Sequence, residues 1–148
     1  MSIIKVSDLT FCYEGSYDNI FENVSFQLDT DWRLGLTGRN GRGKTTLLRL
    51  LEGRYPYQGA IHASVGFDYF PYAVEDPSLC PMELLERVCP DVAPWRFLRE
   101  LTPLEVSEDA LSRPFSTLSG GEQSKLLLAM LFSRENRFLL IDEPTNHL

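Results

Sequence analysis

The alternation of apolar and polar residues along the chain predicts six β-strands. They cover residues 3–11, 23–28, 33–37, 60–63, 65–70 and 138–141. The first two alternate in the manner of strands with one buried face, whereas 33–37 and 138–141 read as short buried strands. A sheet is therefore expected to supply much of the core.

Helical patterns are short and lie between these strands. Residues 44–52 form an amphipathic pattern that Gly53 ends, and six prolines within 71–105 limit that stretch to short helices. The later predicted segments are 82–88, 95–101, a capped turn at 107–111 and, after a loop at 112–121, a helix from Glu122 to about Ser133. The chain is thus expected to be an α/β protein with a mostly parallel core sheet and a small helical lobe.

Length and composition fit one globular domain. A chain of 148 residues, 43% of them hydrophobic, is large enough for a core. The N-terminus has no signal-like segment, and the longest apolar run, 126–132, is far shorter than the roughly 20 residues that span a bilayer. Cys12, Cys80 and Cys89 lack metal-binding spacing and are expected to be free thiols. These features favour a cytoplasmic location.

Charge is distributed unevenly along the chain. The net charge of −7 argues against direct DNA binding. Residues 33–54 nevertheless carry six basic side chains and one acidic side chain. A bound polyphosphate explains this local excess without any nucleic acid.

A phosphate-binding loop motif, G-x-x-x-x-G-K-[ST], joins predicted strand 33–37 to predicted helix 44–52. Its glycines let backbone N–H groups approach phosphates, and the helix start adds its positive end. Lys44 is placed to reach the β- and γ-phosphates, and the Thr45 hydroxyl to ligate Mg²⁺. The predicted nucleotide-binding residues here are Gly38, Arg39, Asn40, Gly41, Arg42, Gly43, Lys44, Thr45 and Thr46.

Predicted strand 138–141 ends in two acidic residues, the Walker B pattern of P-loop NTPases. Asp142 and Thr45 are predicted to hold the same Mg²⁺, and Asp142 is predicted to bind it through a water molecule. Glu143 is predicted to polarise the attacking water and so to be a catalytic residue with Lys44.

The segment LSGGEQ, residues 118–123, has two interpretations. It is a possible anion site made of the Ser119 hydroxyl, the amides of Gly120 and Gly121 and a helix N-terminus. It is equally a plain helix cap, because Ser119 and Glu122 have the spacing of a capping box.

The order GRNGRGKTT, LSGGEQ and FLLIDEPTNHL resembles that of the ABC ATPases. This resemblance implies a RecA-like P-loop NTPase core with antiparallel N-terminal strands, hydrolysis of ATP with Mg²⁺, and two cassettes, in one chain or a dimer, that close head to tail. Ser119, Gly120, Gly121 and Glu122 would then contact the ATP held by the partner cassette. Tyr13 stands at the family's A-loop position and would stack on adenine; the alternative is a strand aromatic in the core.

Within this family the chain looks most like the ABC-F group, twin-cassette ATPases that work on the ribosome. The features are LSGGEQ, EPTNHL at 143–148, and a helical segment of 45 residues between Tyr72 and Leu118. Residues 38–44 and 113–116 further resemble ribosome-protection proteins of the lincosamide, streptogramin A and pleuromutilin resistance type.

Two other functions are compatible with an ABC ATPase. One is the ATP-binding subunit of a membrane transporter, docked on transmembrane subunits; the short helical segment and Tyr72, at the Q-loop position where the family has glutamine, disfavour it. The other is an ATPase of chromosome maintenance or DNA repair. That class needs coiled-coil heptads, which the prolines in 54–117 oppose.

The resemblance also implies how the chain divides. Residues 1–148 would be the N-terminal part of one ATP-binding domain, with a core at about 1–71 and 134–148 and a helical subdomain at about 72–133. The family's switch histidine would lie beyond Leu148. The chain alone is therefore expected to hydrolyse ATP negligibly.

Overall fold

The structure is a computed structural model that describes residues 2–32, 34–36 and 43–142. These residues form two compact units. The first contains the described residues up to Tyr69 together with Asn136–Leu140, and the second contains Phe70–Glu135 with Ile141 and Asp142.

A three-stranded antiparallel sheet opens the first unit. It consists of β1 (Ile3–Phe11), β2 (Phe21–Asp29) and β3 (Gln58–His62) in the order β2-β1-β3. In this sheet Val6 lies opposite Phe26 of β2 and Ile61 of β3. The predicted antiparallel N-terminal strands are thus present, with β1 in the centre because both of its edges are paired.

A second, two-stranded sheet pairs β4 (Gly66–Phe70) with β5 (Arg137–Ile141). The Gly66 N–H donates to the Asn136 carbonyl at 3.3 Å, and the Asp142 N–H donates to the Phe70 carbonyl at 2.9 Å. The first bond joins the N-terminal ends of the two strands and the second joins their C-terminal ends. The two strands therefore run parallel. This parallel pair agrees with the parallel sheet that the sequence predicts.

Helix α1 (Lys44–Glu52) supplies its apolar face to the core of the first unit. Gly53 ends the helix in the left-handed conformation, φ 88°, and its N–H returns to the Leu50 carbonyl. The buried core cluster comprises Val6, Leu9, Phe11, Leu50, Leu51, Tyr69 and Leu140. The sheet residues and α1 therefore share one hydrophobic core.

The second unit is helical and contains α2 (Pro81–Val88), α3 (Pro94–Leu101), α4 (Glu108–Leu111) and α5 (Gly120–Phe132). Prolines at the first positions of α2 and α3 fit helix starts, where the missing N–H costs nothing. Residues 126–131 of α5 are all buried. Helix α5 is thus the central helix of this unit. Among the described residues, no helix is long and apolar enough to cross a membrane.

Three sequence predictions are corrected. The described part of the predicted strand at 33–37, residues 34–36, is not a strand, and Leu34 and Leu36 are 57% and 49% exposed. A segment becomes a strand only where a neighbour takes its backbone hydrogen bonds, and no described strand pairs with 34–36. Helix α5 begins at Gly120 rather than at Glu122, because Ser119 is its N-cap. The predicted loop at 112–121 also holds a 3-10 turn at Phe115–Thr117.

Candidate nucleotide-binding site

The predicted site residues are divided between the two units. Gly43, Lys44, Thr45, Thr46 and Tyr13 belong to the first unit. The second unit contains Tyr72, Asp142 and four residues of the LSGGEQ segment, which we call the signature segment: Ser119, Gly120, Gly121 and Glu122. Gly38, Arg39, Asn40, Gly41, Arg42 and Glu143 lie outside the described residues. Described hydrogen bonds join Tyr13 to Thr46 in the first unit and Ser119 to Glu122 in the second unit.

The junction between the phosphate-loop motif and α1 requires a glycine. Gly43 is the N-cap of α1 and has φ 91°, a left-handed conformation that side chains rarely adopt. A Cβ here would also lie 2.9 Å from Cγ2 of Ile20 and 3.2 Å from the Phe21 ring. The first turn of α1 holds no acidic residue, so its positive end is not neutralised there. The start of α1 therefore suits an anionic ligand.

Tyr13 lies just beyond β1 and is held by three contacts. Its ring is 4.9 Å from Phe11 and 5.7 Å from Tyr55, edge-on in both cases, and its hydroxyl is 2.5 Å from Oγ1 of Thr46. Tyr13 as a whole residue is 40% exposed. It lies outside β1 and is partly exposed, although it packs on the core residue Phe11. Its stacking on adenine stays a prediction.

The signature segment forms the start of α5. Oγ of Ser119 accepts the Glu122 N–H at 3.2 Å, and Oε1 of Glu122 accepts the Ser119 N–H at 3.2 Å. This is the capping box that the sequence offered as one interpretation. Ser119 and Gly120 are exposed, so the cap does not bury the segment. The cap and a ligand role remain compatible.

The contacts of the described residues do not explain why positions 120 and 121 are glycines. A Cβ added to Gly120 or Gly121 would meet no atom of another described residue within 4 Å, and neither glycine has a left-handed φ. Glycine at a helix position lowers stability by roughly 0.5–1 kcal/mol relative to alanine. Among the described residues, neither packing nor backbone geometry requires a glycine at either position.

The capping box lowers one pKa. The Ser119 backbone N–H and, next, its hydroxyl hold the pKa of the Glu122 carboxyl below its ordinary value. Because this pKa is depressed on folding, the stabilisation is present above the ordinary glutamate pKa and is lost as pH falls through the lowered value. Helix α5 should thus lose part of its N-terminal support in acid.

Replacing Ser119 with alanine is expected to raise the pKa of Glu122 part of the way to its ordinary value. The hydroxyl is removed, but the backbone N–H continues to donate. NMR titration of the Glu122 carboxyl carbon measures the change, with Ser124→Ala on the same helix as the control. An unchanged Glu122 pKa in Ser119→Ala would contradict the capping-box explanation.

Tyr72, at the Q-loop position, bonds to the signature helix. Its hydroxyl donates to the Leu127 carbonyl of α5 at 3.0 Å and lies 3.6 Å from the Met130 sulfur. A phenol is a poor Mg²⁺ ligand compared with a carboxylate or amide oxygen. The described contacts make Tyr72 a link between the segment after β4 and α5.

Asp142 follows the last residue of β5 and is half-buried. A carboxylate at the end of a parallel strand, like the hydroxyl of Thr45, is an oxygen donor of the type that Mg²⁺ prefers. The donor set thus fits the metal, and a Mg²⁺ shared by Asp142 and Thr45 stays a prediction. No cluster of three or more His, Cys, Asp or Glu side chains occurs within the part of the chain that the structure describes.

Sequence reasoning missed two residues of this region. Tyr55 stacks on Phe11 at 5.5 Å and supports Tyr13, and Arg137 donates twice to Oδ1 of the buried Asp68, which ties β5 to β4. The sequence signal for the Arg137–Asp68 contact was Asp68 itself, a charged residue inside the otherwise apolar strand β4. Nothing in the sequence singles out Tyr55.

The fold and these motifs define an ATP-binding domain of the ABC type. A profile of the ABC transporter family matches residues 21–146. The chain belongs to this family.

Several similar proteins are F-subfamily members. The chain is 33% identical to ABC transporter F family member 3 of Arabidopsis thaliana and to ATP-binding cassette sub-family F member 3 of Homo sapiens, in each case over 99% of this chain and 21% of the relative. It is 32% identical to sub-family F member 2 of Bos taurus, over 99% of this chain and 24% of the relative. The chain thus spans about a fifth to a quarter of the length of these relatives.

Two solved structures share the fold. An ABC transporter ATP-binding protein from Pyrococcus furiosus matches with a TM-score of 0.80 at 20% identity. The matched region covers 97% of this chain and 76% of the Pyrococcus furiosus chain. A metal-chelate type ABC transporter in an inward-facing conformation matches with a TM-score of 0.76 at 26% identity. The matched region covers 99% of this chain and 62% of the transporter chain. The α/β fold predicted from the sequence is confirmed.

Proposed function

We propose that this chain is part of an ABC-F type ATPase that hydrolyses ATP with Mg²⁺ and acts on the ribosome. The similarity to F-subfamily members over 99% of the chain supports the group. Family membership supports ATP binding. Ribosome protection against lincosamide, streptogramin A and pleuromutilin antibiotics belongs to the same proposal and rests on the resemblance of residues 38–44 and 113–116.

In this proposal the first unit binds the nucleotide. Backbone N–H groups of 38–43 surround the phosphates, the Lys44 ammonium contacts the β- and γ-phosphates, and Tyr13 stacks on adenine. Mg²⁺, held by Thr45 and by Asp142 through water, neutralises charge on the phosphates. Glu143 orients and polarises the attacking water.

The proposal of a second cassette rests on one observation, which is the open space beside Gly120 and Gly121 among the described residues. Two helix-start glycines with open space around them fit the close approach of a triphosphate bound by another cassette. The exposed Ser119 would lie beside that same ligand. In the proposal each ATP is thus shared by two cassettes.

Sedimentation of the intact protein with ribosomes tests the ribosomal part of the proposal. With ATP and Mg²⁺ the protein is expected to pellet with ribosomes, and without nucleotide it is expected to stay in the supernatant. Fractionation with membranes, together with no ATP-dependent ribosome binding, would favour the transporter subunit instead.

A further inference from the structure

One contact in the first unit that the proposed function does not use joins Tyr13 to α1. The two hydroxyl oxygens of Tyr13 and Thr46 are 2.5 Å apart, although 33 positions separate the residues in sequence. Thr46 is the third residue of α1 and is only 7% exposed. Stacking on a base would not require this bond, because stacking uses the face of the ring.

The Tyr13 ring is fixed in the position that makes this bond. Phe11 and Tyr55 lie nearly parallel to one another, with an interplanar angle of 22°, and both meet Tyr13 edge-on at 78° and 77°. The ring is thus supported by Phe11 and Tyr55 while its hydroxyl is bonded to Thr46. Such a residue is preorganised rather than free to rotate.

We infer that Tyr13 is also a positioning residue for phosphate binding: its hydroxyl donates to Oγ1 of Thr46 and so directs the Thr46 hydrogen towards the phosphates. This inference rests on the proposed nucleotide function. A hydroxyl has one hydrogen and can also accept. If the phenol donates, the threonine hydrogen is available to an anion, and the accepted bond polarises it further. Tyr13 thus acts on the phosphates through Thr46, not only on the base.

Binding of inorganic tripolyphosphate with Mg²⁺ separates this role from stacking, because tripolyphosphate has no base. Replacing Tyr13 with phenylalanine keeps the ring and removes the hydroxyl. We expect Tyr13→Phe to weaken tripolyphosphate and ATP by the same factor, roughly fivefold, the effect of one lost hydrogen bond. Tyr13→Leu should weaken ATP further but tripolyphosphate no more than Tyr13→Phe does. Isothermal titration calorimetry on the whole chain measures both ligands.

Matched variants complete the test. Tyr17→Phe is the control, because Tyr17 is fully exposed. Thr46→Val should weaken tripolyphosphate at least as much as Tyr13→Phe does, and Thr46→Ser should retain binding. Adding Tyr13→Phe to Thr46→Val should cause no further loss. Thermal unfolding of each variant shows whether it is folded.

Two results would overturn the inference, and they are distinguishable. If the unsubstituted chain binds neither tripolyphosphate nor ATP, the proposed nucleotide function fails and the inference fails with it. If the chain binds both, and folded Tyr13→Phe binds tripolyphosphate as tightly as Tyr17→Phe does, only the positioning role fails.

Discussion

Replacing Lys44 with alanine is expected to weaken ATP binding by roughly 100-fold, the upper range for losing a hydrogen bond between two charged groups. Lys44 is the first residue of α1, directly after the left-handed Gly43. In the proposed site its ammonium contacts the β- and γ-phosphates, and the first turn of α1 has no acidic residue to offset its charge. Equilibrium binding of ATP with Mg²⁺ measures the loss.

A control lysine is available in the same unit. Lys5 is exposed on β1, so Lys5→Ala removes the same charge from a strand position. It should change ATP affinity by less than twofold, because exposed charges at a distance are screened by salt. If Lys44→Ala bound ATP as tightly as Lys5→Ala, the assignment of residues 38–46 to the phosphates would be wrong.

Local signals in the sequence predicted most of the fold. Strand β1 was predicted with its observed bounds because nine residues alternate in character, and α1 because its apolar face ends at a glycine. The capping box of α5 was also readable, since Ser119 and Glu122 are three residues apart. The strand predicted at 33–37 was wrong over 34–36 because strand formation depends on partners that the segment itself does not specify.

The motifs identified site residues without showing how they contact one another. The hydroxyls of Tyr13 and Thr46 meet across 33 positions, and the Tyr72 hydroxyl reaches a carbonyl 55 positions away. Neither contact has a periodic or local pattern, since both depend on how elements pack. Tyr72 illustrates the difference: the sequence marked it as a departure from glutamine, and the structure shows that its hydroxyl is bonded to α5.

The second large effect is expected from replacing Glu143 with glutamine in the intact protein. Glutamine keeps the size of the side chain but cannot act as a base, so hydrolysis should fall by roughly 100-fold or more while ATP binding is retained. If closure on two ATP molecules produces the ribosome-binding form and hydrolysis releases it, the substituted protein stays closed. It should then accumulate on ribosomes and slow translation, whereas Lys44→Ala should lose ribosome association together with ATP.

Co-sedimentation with ribosomes, with and without ATP, measures both variants, and phosphate release measures the loss of hydrolysis. Glu75→Gln is the matched control, because Glu75 is exposed in the helical unit and has no proposed role in the site. Glu143→Gln should pellet with ribosomes severalfold more than this control, and only when ATP is present. Equal pelleting of the two variants, with hydrolysis lost in Glu143→Gln, would show that hydrolysis does not release the protein from ribosomes. Unchanged phosphate release in Glu143→Gln would instead remove Glu143 from the catalytic role, because a general base cannot be replaced by an amide without loss.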